Sequence, residues 1–188
     1  MKKLTNEEKA KITALPLIEL NENDSDKSII LEGIKDVFAA FNMPLIDEFA
    51  DDSKYHLAYS RKDGDLNYTV IATYDSAFRF ITLTISFNKA PKSKRKKVSE
   101  LINLLNIESP QSLITMMPGA GVSVRSGMFL TRWFNTQELY INLKGLLFNG
   151  RCYSVMAAIV ITSNEKPASI IEAFFMGVQE LREGKSIP

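Results

Sequence analysis

The chain has 188 residues, with 23 Lys and Arg against 22 Asp and Glu, a formal charge of +1, 45% apolar residues, one His and one Cys. These are the proportions of an ordinary globular domain, and roughly 70% of the open chain's surface is buried at such a length. They exclude a four-ligand Cys/His zinc site, an internal disulfide, and a surface that grips nucleic acid over its whole extent.

Residues 1–27 read as a polar N-terminal extension. Two lysines open it as in a signal peptide, but Glu7, Glu8, Lys9 and Lys11 break any apolar core. Leu15, Leu17, Ile18 and Leu20 form one short apolar island around Pro16. From Ser28 to Asn42 the period is helical, with Ile30, Ile34, Val37, Phe38 and Phe41 on one face. Asp24, Ser25 and Asp26 are its N-cap candidates, and Pro44 stops it. An acidic loop is expected from Asp47 to Asp52. The period then changes to two. Tyr55, Leu57 and Tyr59 alternate with polar residues up to the Asp63-Gly64 turn. Leu66–Tyr74 returns, Asp75-Ser76-Ala77 turns, and Phe78–Phe87 makes the third strand of an antiparallel meander.

Pro91 is expected to open a second helix whose buried face is Val98, Leu101, Ile102 and Leu105. Ser112–Met117 and Val122–Ser126 read as a second hairpin. Asn135-Thr136-Gln137-Glu138 has capping-box spacing. Apolar residues continue helically from Leu139 through Ile159, interrupted at Asn149-Gly150, so one kinked helix or two helices fit. Pro167 starts a last helix with Ile171, Phe174, Phe175, Val178 and Leu181 on one face, and Gly184 lies where a C-cap glycine belongs. The longest apolar stretch, near Val155–Ile161, is far short of the ~20 residues that cross a membrane. The expectation is a cytoplasmic, soluble protein with no membrane partner.

Motifs for chemistry are sparse. His56 reads as a surface histidine on a strand, opposite the Tyr55/Leu57/Tyr59 face. Cys152 reads as a buried thiol, since its cationic neighbour Arg151 does not face it on a helix. Gly119-Ala120-Gly121 lacks the third glycine and the following helix of a dinucleotide site, and Gly145–Gly150 lacks the Lys-Ser/Thr of a phosphate loop. Asp51-Asp52 and Asp63/Asp65 are carboxylate pairs on loops, where nothing shifts their acidity for hydrolysis. No catalytic residue, metal site or cofactor is expected. Two features remain as partner-binding candidates. Lys92, Lys94, Arg95, Lys96 and Lys97 crowd a helix start, where the macrodipole disfavours cations by a few tenths of a kcal/mol. Met116, Met117, Met128, Phe129 and Trp133 concentrate adaptable apolar side chains in and after a hairpin. For the first, a solvated helix start and a contact for an acidic partner are both open. For the second, core and contact surface are both open.

Three segments carry a resemblance to a known family: the helix Lys97–Asn106, the strand Gly121–Arg125, and the turn Lys166-Pro167-Ala168-Ser169 entering an apolar helix. With the order of elements, they make the chain similar, over residues 28–180, to the YbjN family of bacterial sensory transduction regulators. The fold of that family looks like that of type III secretion chaperones. The resemblance implies an α+β domain over residues 28–184, followed by a short tail at 185–188. Its mainly antiparallel sheet would be five-stranded, with helices on one face, in the order α-β-β-β-α-β-β-α-α. It further implies a non-enzymatic regulatory or chaperone-like module with an unidentified protein partner, and a possible homodimer through residues near Leu101–Met117. The alternatives are an enzyme with a loop-borne site at Asp51, Asp52 or Arg125, and a nucleic-acid binder through residues 92–97. Nucleic acid is the less expected partner, because few aromatics interleave the cations.

Overall fold

A computed structural model describes residues 6–20, 26–63, 66–108, 112–119 and 121–182. The elements are α1 (Asn6–Ala14), β1 (Leu17–Glu19), α2 (Asp26–Ala40), β2 (Leu45–Asp51), β3 (Lys54–Asp63), β4 (Leu66–Asp75), β5 (Phe80–Phe87), α3 (Arg95–Glu108), β6 (Leu113–Met116), β7 (Val122–Phe129), β8 (Trp133–Asn135), α4 (Thr136–Thr162) and α5 (Pro167–Arg182). The fold is α+β. One sheet has six strands in the order β2-β3-β4-β5-β7-β6, and β1 and β8 pair as a separate antiparallel ribbon. The chain divides into two compact units, residues 1–85 with 125–146, and residues 86–124 with 147–188.

The expected five strands are therefore corrected to six plus a two-stranded ribbon, and the element order changes with them. The acidic segment 47–52 is mostly strand β2, not a loop. All seven β2 residues are exposed, so no buried face imposed the alternation that marks a strand in sequence. β1 and β8 have three residues each, too few to show a period. Pro91 precedes a single tight turn at Lys92–Lys94, and the helix proper begins at Arg95. α4 is one continuous helix of 27 residues. Its Gly150 is buried, and packing there outweighs the ~1 kcal/mol propensity cost of a helical glycine. α4 is also long and apolar enough to cross a membrane by length and composition, contrary to the expectation from Val155–Ile161, although only a third of its most apolar window is buried. The candidate caps Asp24 and Ser25, the turn residues Gly64 and Asp65, and Gly184 lie outside the described residues.

Within the first unit the core follows directly from the register. Tyr59, Val70 and Ile85 lie side by side across β3, β4 and β5, as do Leu57, Ala72 and Leu83. All six are buried, and α2 covers them with Ile30, Ile34, Val37 and Phe38. The Phe38 and Tyr59 rings stack with centroids 3.8 Å apart and planes 12° apart. The ribbon is tied down by Leu20 N–H donating to the Arg132 carbonyl at 2.8 Å and by the Arg132–Glu19 ion pair. Thr136 Oγ1 donates to the Pro16 carbonyl. Leu15 and Leu20 are buried, so the two ends of the apolar island belong to this core, whereas Leu17 between them is 59% exposed. Asn135 caps α4 as expected, its Oδ1 accepting from the N–H groups of Gln137 (3.1 Å) and Glu138 (3.2 Å).

Burial marks this core energetically at Tyr59. The Tyr59 hydroxyl is buried without a hydrogen-bond partner, and burial, with Glu48 and Glu32 adding to it, pushes its ionisation well above the ordinary 10.0. A raised folded-state pKa adds stability below the unfolded value, and that stability is lost as pH climbs toward the folded value. Tyr59→Phe should therefore be neutral or stabilising by up to about 1 kcal/mol at pH 7, since it removes an unsatisfied buried polar group. It should also flatten the fall in stability that the wild type shows above about pH 10. Urea denaturation at pH 7 and pH 10.5 checks both. A loss above 1 kcal/mol at pH 7 would mean that the hydroxyl has a partner.

In the second unit α3 packs on α5, burying Val98, Leu101, Ile102, Leu105, Ile170 and Ile171. Asn106 fastens β6 to α3 in both directions, donating to the Ile114 carbonyl and accepting from Ile114 N–H, each at 2.8 Å. Phe87 and Tyr153 meet at 5.0 Å, and burial pushes the Tyr153 phenol up to about 12.

Candidate functional site

The larger sheet ends at β2 and at β6; β2 pairs with β3 alone and carries seven exposed side chains. A two-residue turn, Asp52-Ser53, joins the two strands, and Asp52 has the positive φ of 42° that such turns require. The turn is closed by the pair Asp51–Lys54, followed by Phe49–His56 and Asp47–Ala58. In an antiparallel hairpin of this length the closing pair exchanges both main-chain hydrogen bonds, and every second pair does likewise. Asp47, Phe49 and Asp51 thus bond to β3, while Glu48 and Ala50 turn their main-chain groups outward. Glu48 N–H is met by its own neighbour, Asp47 Oδ1, at 2.9 Å.

The side chains divide by face. Toward α2, Glu48 forms an ion pair with Lys35 at 3.2 Å, and this hydrogen bond is the main reason the Lys35 pKa is raised. On the opposite face, Asp47, Phe49 and Asp51 stand in a row. The Phe49 ring stacks on His56 with centroids 4.5 Å apart. His56 Nδ1 is hydrogen-bonded to Thr73 Oγ1 at 3.0 Å, and Nε2 lies 3.6 Å from Asp51 Oδ2. Three large apolar residues on this strand are open to solvent: Leu45 is 41%, Ile46 56% and Phe49 49% exposed.

Of the residues singled out in the sequence, Asp51, Asp52 and His56 lie in this hairpin, and the partner-binding candidates fall elsewhere. The cation cluster lies in the second unit, and part of it is occupied. Lys94 Nζ donates to the Ser163 carbonyl at 3.3 Å, and Lys97 Nζ donates to the Asn164 and Glu165 carbonyls at 3.0 and 3.3 Å. Arg95 Nε donates to the Ala90 carbonyl at 3.5 Å. The Ser163, Asn164 and Glu165 carbonyls follow the C-terminal end of α4, which has no basic residue in its own last turn. Cations are favourable there, and this offsets their poor placement at the start of α3. Lys92 and Lys96 are exposed.

The Met/aromatic group does not gather into one patch. Met128 is 7% exposed and belongs to the core, whereas Phe129 is 71% exposed. Phe129 packs against Phe80 at 4.5 Å, and the Phe80 ring covers Gly127, where a Cβ would strike it. This is an aromatic ring filling the space above a strand glycine. Trp133 is exposed on the ribbon beside Arg132. In the second unit Met116 is half-buried and accepts from Ser99 Oγ at 3.8 Å, and Met117 is exposed. Near the expected dimer segment, Leu101, Ile102 and Leu105 are buried, and Ile107 and Leu113 are exposed.

Cys152 is half-buried on α4, and burial raises its pKa from 9.0 to about 11. The thiol is therefore protonated near neutral pH. A groove of about 330 Å³ between α3 and α5 is lined by Leu104, Ile107, Ala168, Ile171, Glu172 and Phe175, none of which is Asp51, Asp52 or Arg125. Among the described residues no group of three or more His, Cys, Asp or Glu could hold a metal ion. No family model, no curated protein and no solved structure matches the chain.

Leu45, Ile46 and Phe49 were missed by sequence reasoning. A signal for them existed: an apolar-acidic run bounded by Pro44 and by the turn-forming Asp52-Ser53, directly before an alternating strand. Its negative charge disguised it as a loop.

Proposed function

We propose that the chain is a protein-binding module, regulatory or chaperone-like in the manner the YbjN resemblance implies, that holds a partner by main-chain pairing along β2. The observation that carries this is a strand paired on one side only, with all seven side chains exposed and three of them large and apolar. An exposed edge with apolar residues is a template for another strand, and adding an extended segment to such an edge is a recurrent mode of peptide capture. Main-chain bonds supply affinity in this mode, and alternate side chains supply selectivity.

Ala50→Pro tests the reading. Proline is tolerated on an edge strand where its missing N–H faces outward, so the variant keeps the β2–β3 ladder and deletes one outward donor. A displayed library of unstructured nonapeptides, selected on the wild-type protein, should yield binders that lose at least tenfold in affinity on Ala50→Pro. A library that yields only binders indifferent to that variant would overturn the proposal.

A further inference from the structure

We infer that the occupant of β2 is a cationic extended segment of a partner protein, with the pattern cation–x–apolar–x–cation on the face it shares with Phe49. The inference rests on the reading of β2 as a docking edge and adds its selectivity. An added strand places alternate residues beside Asp47, Phe49 and Asp51, which share one face by the β2–β3 register. Opposite charges directly across two strands attract, and like charges repel. The residues beside Asp47 and Asp51 are therefore cations, and the residue between them lies against Phe49, whose other side is already stacked on His56.

Charge also decides against a second copy of this chain. Antiparallel pairing of β2 with its own copy about Phe49 sets Asp47 beside the other copy's Asp51, and does so twice. Such pairs are destabilising. The acid on the α2 side is already engaged, since Glu48 is bridged to Lys35. The two acids on the outer face carry the selectivity.

Asp47 has a second part in the device. Its carboxylate occupies Glu48 N–H, an outward donor that an incoming strand needs for its own carbonyl. Arrival of that carbonyl releases the Asp47 carboxylate, which is then free to meet the strand's cation. One side chain keeps the empty edge closed to neutral strands and rewards a basic one.

The test uses the full chain and two labelled peptides of equal length. One has a Lys-Thr-Ile-Thr-Lys core and the other a Glu-Thr-Ile-Thr-Glu core, each flanked by Gly-Ser. Fluorescence anisotropy should show the lysine peptide binding at least tenfold tighter than the glutamate peptide, with the preference falling as salt rises. The neutralised variant Asp47→Asn with Asp51→Asn should erase most of that preference while its thermal unfolding stays within a few degrees of wild type. Ala50→Pro should weaken the lysine peptide at least tenfold. Equal binding of both peptides, each sensitive to Ala50→Pro, would overturn the charge selectivity and leave the docking edge standing. No binding of either peptide, or binding indifferent to Ala50→Pro, would overturn both; the acids would then serve only to keep edges of separate molecules apart.

Discussion

Phe38→Ala should remove about 3–5 kcal/mol of stability, the range for deleting a large buried aromatic side chain. Phe38 is fully buried. Its ring lies flat on Tyr59 at 3.8 Å, so truncation strips one whole face of a second buried aromatic. Neighbouring atoms have little freedom to close the gap, because Ile30, Ile34, Val37 and Leu57 are each buried to within 1%. At this chain length the loss corresponds to a fall in Tm of about 6–20 °C. Phe38→Leu, which keeps most of the volume and loses the ring stack, should cost about 1.5 kcal/mol or less. Urea denaturation followed by the single tryptophan, Trp133, which lies in the same unit, measures both. A loss below 1 kcal/mol for the alanine variant would show that α2 is not seated on β3 as described.

The two faces that meet in that contact were legible in the sequence, because each belongs to a periodic segment, although their pairing was not. Ile30, Ile34, Val37 and Phe38 recur at helical spacing, and Tyr55, Leu57 and Tyr59 at strand spacing. Each pattern exists because one face of the element is buried. Where burial is absent the pattern is absent too, which is why β2 was hidden. A strand exposed on both faces is under no demand to alternate, and acids at Asp47, Glu48 and Asp51 are what an edge strand uses to avoid its own kind. The residues most useful for binding were for that reason the ones least visible to periodicity.

The cation cluster illustrates a different gap between sequence and fold. Its placement at a helix start was visible, and its cost there could be reasoned. The partners of Lys94 and Lys97 are carbonyls some seventy positions later, a pairing only the folded chain brings about. Asn135, by contrast, caps the turn that immediately follows it and was readable from spacing alone. Local devices could be read from the sequence, whereas devices depending on long-range closure could not.

The second large effect is expected at Gly33, and its sign runs against helix propensity. Gly33 lies inside α2, where Gly→Ala on an exposed face gains about 1 kcal/mol. Here the ribbon sits against the glycine. A Cβ would lie 2.6 Å from Phe134 Cε1, 3.2 Å from Ile18 Cδ1 and 3.2 Å from Thr136 Cγ2. Phe134 and Thr136 are fully buried, and Thr136 is held by its hydrogen bond to the Pro16 carbonyl, so neither side chain can simply turn away. Overpacking of this kind costs about 1–3 kcal/mol. Gly33→Ala should thus lose roughly 0–2 kcal/mol net, and Gly33→Leu, which drives three more carbons into the same contact, about 3 kcal/mol or more. If the clash with Phe134 is the cause, Phe134→Leu should couple to Gly33→Ala, making the double variant about 1 kcal/mol better than the sum of the two singles. A stabilised Gly33→Ala would overturn the close approach of the β1–β8 ribbon to α2. Additive single effects would assign the cost to Ile18 and Thr136 instead.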